Sequence, residues 1–442
     1  MLIYLLLVLL ILIWMFSYFF SKKDILNAPS VLCIVFIISV LNAIINKDIW
    51  NFNMGERTFL VILLGVFSFC LFYYIVFYCL YNIVKPKEKT RLLEQNIYIE
   101  NKKLFYFFLI ELVGLILIYS ELQGFAGDNI GEKIYSYRVS VFLNQESENR
   151  IPVYVQFFID FCSSASMILI YKVLLDYFCK NIFNIKYIGL IFLSGILSMS
   201  TGGRGFSVFL IIATSVMSYI FYMKKHNWQF RLNLKKICIL ILLPTVLVFS
   251  FSTIGLLVVG RYNEFDNGLS IFENAWRLLS IYIGAPLKLL DLYLYTDYKD
   301  VGSYYPVIGA ETFNNLYKWI GNKFDINYLN MDIVGSNFRY DNGFMLGNVY
   351  TMFKYYVADF GILGVIVLSG IMASIFAYMF FKIKYTTSKN KINYIIIIYS
   401  YIFISVALSF FSDWFYNFFI TIGTLKTIIY WKIFEYFFVE KF

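Results

Sequence analysis

The sequence predicts an all-α, polytopic integral membrane protein. Two observations predict it. Hydrophobic residues make up 60% of the chain and charged residues only 15%, against about 45–50% and about 25% in soluble domains. The apolar residues also fall in long unbroken blocks. Blocks of that length cross hydrocarbon as helices, which close their own backbone hydrogen bonds.

With about 20 apolar residues per crossing, the chain reads as about eleven spans. In order they are Leu2–Phe20, Ser30–Ile45, Phe59–Val84, Leu104–Leu122, Ile151–Phe178, Tyr187–Met199, Phe206–Met223, Ile237–Val259, Phe353–Phe381, Asn393–Phe411 and Trp414–Tyr430. The sixth is short and the second is short enough to be re-entrant. Leu2–Phe20 has no basic region before it and no small-residue cleavage site after it, so it reads as a retained span. The whole chain, 1–442, forms one transmembrane domain.

Lysine and arginine in the connections set the orientation. Lys22 and Lys23, Lys85 to Lys103, Lys180 and Lys186, Lys224 to Lys236, and Lys382 to Lys391 alternate with poorly basic connections. The basic set is expected in the cytoplasm, with the N-terminus outside and the C-terminus cytoplasmic. Two outward segments exceed a turn: Gln123–Arg150 and the long loop 260–352. The second holds seven basic residues, Arg261 to Arg339, against ten acids, Glu264 to Asp341. A loop of that length is functional when ordered, and its aromatic and aliphatic content argues for order. Within it, Trp276–Tyr295 is apolar enough for a helix on or dipping into the membrane, interrupted at Gly284 and Pro286.

Several functions are excluded. The net charge of +9 comes from short segments between apolar blocks and sets orientation, so no nucleic-acid partner is implied. The six cysteines lack metal-site spacing and read as small hydrophobes. The one histidine, His226, falls in a basic cytoplasmic connection. No D-x-D occurs, so a metal-bound nucleotide-sugar site has no support.

The chemistry-bearing candidates lie outward. "SMSTGGRGFS" places Gly202, Gly203 and Arg204 on a turn between two spans. Glycines and a helix start leave backbone N–H groups open to an anion, and arginine adds a planar fork matched to phosphate oxygens. The alternative is a tight turn with a snorkelling arginine; the four residues leave both open. Further outward arginines are Arg138, Arg261, Arg277 and Arg339. Singly each reads as a surface residue, but as a set they run against the orientation bias and suit a lipid-linked phosphate. Among the nearby acids, Asp266 and Asp341 offer a carboxylate to take a proton from a sugar hydroxyl, although each opens an Asp-Asn-Gly turn. Glu111, Asp160, Asp359 and Lys426 fall within spans, where charge is costly and often functional. They keep a transporter reading open.

With "STGGRG" between two spans, one very long outward loop in the second half, "LGNVYTMFKYYVADFGILGVIVLSG" re-entering the membrane at 346–370, and "NAPSVL" before the second span, the chain resembles the bacterial O-antigen and capsule repeat-unit polymerases of the Wzy type. The resemblance implies a metal-independent, cofactor-free glycosyltransferase at the outer face of the inner membrane. It would join oligosaccharide units carried on undecaprenyl pyrophosphate, among membrane lipid, alongside a chain-length regulator and a flippase. It implies a catalytic role for Arg204; Arg261 joins it by position only, and Asp266 as the carboxylate read nearby. Arg138, Gly202, Gly203, Arg277, Arg339 and Asp341 would bind substrate. Lipid pyrophosphate is a good leaving group, so fixed arginines would serve by stabilising developing charge. The related ligases carry an outward histidine that this chain lacks. The alternatives are a polysaccharide flippase or other transporter, and a non-enzymatic envelope scaffold.

Overall fold

The computed structural model describes residues 1–22, 24–86, 89–91, 97–143, 151–202, 205–229, 271–297, 307–331, 339–341, 343–386 and 392–439. The expected span Ile237–Val259 lies outside the described residues. The helices are α1 (Leu2–Phe20), α2 (Ala28–Ile45), α3 (Glu56–Val84), α4 (Asn101–Leu122), α5 (Ile130–Arg138), α6 (Val153–Lys180), α7 (Ile185–Met199), α8 (Gly205–Lys225), α9 (Ile271–Ile283), α10 (Ala285–Leu292), α11 (Asn314–Phe324), α12 (Met352–Tyr385), α13 (Tyr394–Ile402), α14 (Ile404–Ala407) and α15 (Ile422–Phe438). A short hairpin pairs β1 (Arg339–Asp341) with β2 (Phe344–Gly347) antiparallel.

The protein is mostly helical. Among the described residues seven helices are long and apolar enough to cross a membrane: α1, α2, α3, α4, α6, α8 and α12. Helix α1 leaves Tyr4, Leu5, Val8, Leu12, Phe16 and Phe19 exposed. A face that apolar belongs in lipid, not water. Three expected spans take another form. Tyr187–Met199 forms α7, at 15 residues a shorter apolar helix. Asn393–Phe411 shortens to one apolar helix, Tyr394–Ala407, in which α13 runs into α14 through a helical Phe403 (φ −64°, ψ −20°), and Trp414–Tyr430 becomes a π-helical turn at Phe415–Phe419 followed by α15, which starts later and runs to Phe438. Apolar composition marks membrane depth, and it carries no signal for where a helix interrupts inside an apolar run.

Trp276–Ile283 and Ala285–Thr296 are two helical limbs bent by 46° at Gly284, the interruption expected there. The Ile283 carbonyl accepts from Ser39 Oγ at 2.6 Å, so the break leaves that group partnered. Ser39 lies six residues before the end of α2, a depth of about 9 Å at about 1.5 Å per residue. Helix α12 is also interrupted: Gly361 has φ 64° and ψ −159°, a backbone region that only glycine enters freely. "NAPSVL" has a local role. Asn27 caps α2 by accepting from the Ser30 N–H, and Pro29 sits in the first turn, where a missing N–H is harmless.

The described residues form two units. Unit 1 comprises Met1–Thr90, Arg277–Thr386 and Tyr401–Thr424; unit 2 comprises Arg91–Trp276, Thr387–Ser400 and Leu425–Phe442. In unit 1, α3 and α12 lie together along their length, with Phe69 against Phe376 and Phe77 against Phe380 and Phe381. In unit 2, α6 is the central helix and is mostly buried. Phe107 of α4 packs edge-on against Phe161 and Phe434, and Trp431 donates from Nε1 to the Ser164 carbonyl at 2.9 Å.

Each unit groups alternate connections at one end. In unit 1 the charges of Lys22, Asp24 and Lys89 gather around Lys384, and Thr90 donates to the carbonyls of Lys384 and Ile383. At the opposite end the Met352 N–H donates to the Ser409 carbonyl and Lys288 to the Asn51 carbonyl. In unit 2, Lys186 meets Asn101 and Lys225 meets the Phe178 carbonyl at one end, while Tyr154 meets Glu121 at the other. This grouping is the one the lysine count predicts.

Candidate functional site

In unit 2 the sequence around α5 builds a fixed arginine. Asn129 accepts from the Glu132 N–H at 3.0 Å and Glu132 accepts from the Asp128 N–H at 2.8 Å, a reciprocal cap that starts the helix. Lys133 donates to Gln123 Oε1, Ser136 to the Ala126 carbonyl, and Tyr137 packs edge-on against Phe125. These contacts tie α5 to the end of α4. Arg138 closes the last turn, where a cation suits the helix dipole. It donates from one guanidinium nitrogen to the Gly202 carbonyl at 2.5 Å.

Gly202 has φ +75°, and its N–H turns back to the Met199 carbonyl at 2.9 Å. A β-carbon at Gly202 would also stand 3.3 Å from Arg138 Cβ. Both the turn and the close approach of the arginine therefore need glycine. Arg138 and Gly202 were expected to share a site, and the structure brings them together. Gly203, Arg204, Arg261 and Asp266 lie outside the described residues.

Unit 1 holds the rest. Arg277 is half-buried on α9. Arg339 and Asp341 occupy the two ends of β1 and therefore share one face of it. Asp341 pairs with Lys288 of α10 at 2.9 Å. Arg339 reaches Thr296 Oγ1 at 3.5 Å and lies beside Tyr350. Burial pushes the Tyr350 hydroxyl above its ordinary value, and the Arg339 guanidinium pulls against that.

Sequence reasoning missed the core of this region. Lys354, the third residue of α12, forms an ion pair with Glu311 in which both side chains are 1% exposed. The Lys354 ammonium also stands 4.8, 5.2 and 5.4 Å from the ring centres of Tyr293, Tyr355 and Tyr350. Cation–π attraction and the carboxylate together offset the desolvation of the charge. One turn on, Asp359 accepts from the N–H groups of Glu311 and Thr312 at 3.2 and 2.6 Å. Asp413, at the turn before Trp414, accepts from Tyr356 Oη and the Tyr416 N–H, both at 3.2 Å. Burial pushes the Asp413 carboxyl up to about 7, with those donors and neighbouring N–H groups pulling down. Lys354 and Asp359 both lie in the 346–370 segment, and Asp359 stood out as a charge within a span, but Glu311 stands far from them in sequence. Their pairing could be read only from the fold.

These contacts determine what the arrangement can do. Lys288 and Lys354 are matched by carboxylates, and Asp291 is bound by Thr58 Oγ1 and the Gly55 N–H at 2.6 and 2.9 Å. The charge-balanced cluster of unit 1 serves to hold the long loop on the ends of α2, α3 and α12. In unit 2, a guanidinium is fixed on the backbone carbonyl of a glycine turn. Among the described residues no group of His, Cys, Asp or Glu could hold a metal ion. No protein-family model, curated protein or solved structure matches the chain.

Proposed function

We propose that the protein is a polysaccharide polymerase of the bacterial inner membrane. Its reaction transfers a growing chain from undecaprenyl pyrophosphate to a sugar hydroxyl of the next lipid-linked repeat unit, at the outer face. The observation that carries this reading is the Arg138–Gly202 contact. It brings an arginine from one outward segment onto the glycine turn that bears Arg204 in sequence. Two arginines at one glycine turn suit a pyrophosphate, whose oxygens take charge-assisted hydrogen bonds worth roughly 1.5–3 kcal/mol each. In this reading the lysine-rich ends face the cytoplasm, with the N-terminus outside and the C-terminus inside.

The test is deletion of the gene followed by separation of the surface polysaccharide by length. Single repeat units should persist and long chains vanish. Restoring the gene with Arg204→Ala should leave chains short at normal protein level, and Arg204→Lys should lose much of the polymer because it lacks the planar fork. Full-length polymer from Arg204→Ala would remove the arginine from the chemistry.

A transporter is the second reading, favoured by the interruptions at Gly361 and Gly284, since broken helices often build transport sites. It predicts that deletion abolishes the surface display of single units as well.

A further inference from the structure

One buried acid takes no part in the proposed transfer. Glu111 lies within α4 and is 0% exposed. Its Oε1 stands 2.5 Å from Ser194 Oγ on α7, and the same hydroxyl stands 3.1 Å from the Cys162 carbonyl on α6. Glu111 Oε2 is buried and makes no hydrogen bond among the described residues. No basic side chain among them pairs with it.

Counting protons decides the state of this group. Ser194 has one hydroxyl proton and can give it to one acceptor. If the carboxyl were ionised, Ser194 would be its single donor, and a charge in an apolar interior would keep most of its acceptor sites empty. Such burial is strongly unfavourable. If the carboxyl carries a proton, it donates to Ser194 Oγ and Ser194 donates on to the Cys162 carbonyl, so every donor is used. A metal ion does not fit the contact. Hard cations hold each oxygen at about 2.0–2.6 Å, which spreads neighbouring ligand groups to roughly 3 Å.

We propose that Glu111 is a proton-binding site within the membrane, its acid proton linking α4, α7 and α6 in one hydrogen-bond chain. The titratable group that faces it is the Cys162 thiol of α6. Asp160, on the same helix, is engaged by Gln156 at 2.7 Å and by the Lys426 charge. Helix α7 contributes the Ser194 hydroxyl, and α15 sets Phe434 and Phe438 against Phe107, one turn before Glu111 on α4. Removing the proton would leave Ser194 bonding either the carboxylate or the carbonyl, and the three-helix chain would open.

Infrared difference spectroscopy of the full chain in lipid tests this. Wild type minus Glu111→Gln at neutral pH should show the carbonyl stretch of a neutral carboxylic acid, shifting on deuteration. Ser194→Ala should move that band to higher wavenumber by removing its hydrogen-bond partner, which assigns the band even where Glu111→Gln accumulates poorly. The band should not respond to sodium. Carboxylate bands in place of the acid band, or loss of the acid band on adding sodium, would overturn the proposal.

Discussion

Arg138 donates to the carbonyl of Gly202 across 2.5 Å, joining two connecting segments that are 64 residues apart in the chain. The contact forms where an L-residue at position 202 would meet both a left-handed backbone and the arginine's own side chain. Arg138→Ala should therefore lose most long polymer while the protein still reaches the membrane. Arg138→Lys should lose nearly as much, because an ammonium cannot hold the carbonyl and a phosphate in one plane. Gly202→Ala should destabilise by about 1–3 kcal/mol and shorten chains as well. Polymer length on a gel with protein level by blot measures all three. Full-length chains from Arg138→Ala would detach this contact from function.

The Lys354–Glu311 pair is sealed from solvent, so breaking it from one side strands a charge. Glu311→Gln and Lys354→Met should each lower stability by about 3–5 kcal/mol. The double variant Lys354→Met with Glu311→Leu should recover much of the loss, since both charges leave together. Thermal unfolding in detergent reads this out. Additive losses in the double variant would mean that the two side chains contribute independently.

Asp413 makes stability depend on pH. Its carboxyl is raised from 3.8 to about 7 by burial, so the folded chain keeps a proton that the unfolded chain releases. Between about pH 4 and 7 the unfolded state binds fewer protons, and stability falls as pH rises, by at most about 1.4 kcal/mol per pH unit. It levels off above the folded value. Asp413→Asn should flatten that slope. Melting temperatures across the range decide it, and an unchanged slope would assign the dependence to other groups.

Much of the fold was legible because the membrane imposes a simple rule on sequence. Leu2–Phe20 was read to the residue, since an apolar run bounded by Lys22 and Lys23 has one solution. The grouping of connections was legible from lysines alone. The helix end at Ala407 and the interruption after Phe419 were not, because the small and polar residues around them, Ser405, Ser409, Asn417, Thr421 and Gly423, do not fix where a helix stops. At the site, Arg138 and Gly202 were legible as separate motifs, yet nothing in either marked their contact. Lys354, Glu311 and Asp413 carried no pattern, because buried pairing depends on tertiary proximity that spacing does not encode.

Sidedness rests on the charge bias, and it can be tested directly. Gln229 follows α8 at the lysine-rich end of unit 2, and Asn322 lies on α11 in the long loop; both are exposed. In a background where the native cysteines are replaced, Asn322→Cys should react with a membrane-impermeant thiol reagent in cells with a permeable outer membrane. Gln229→Cys should react only after the inner membrane is opened. The bias predicts this because lysine-rich connections are retained in the cytoplasm during insertion. The reverse labelling would put the Arg138 turn on the cytoplasmic side, away from the outer-face transfer proposed for it.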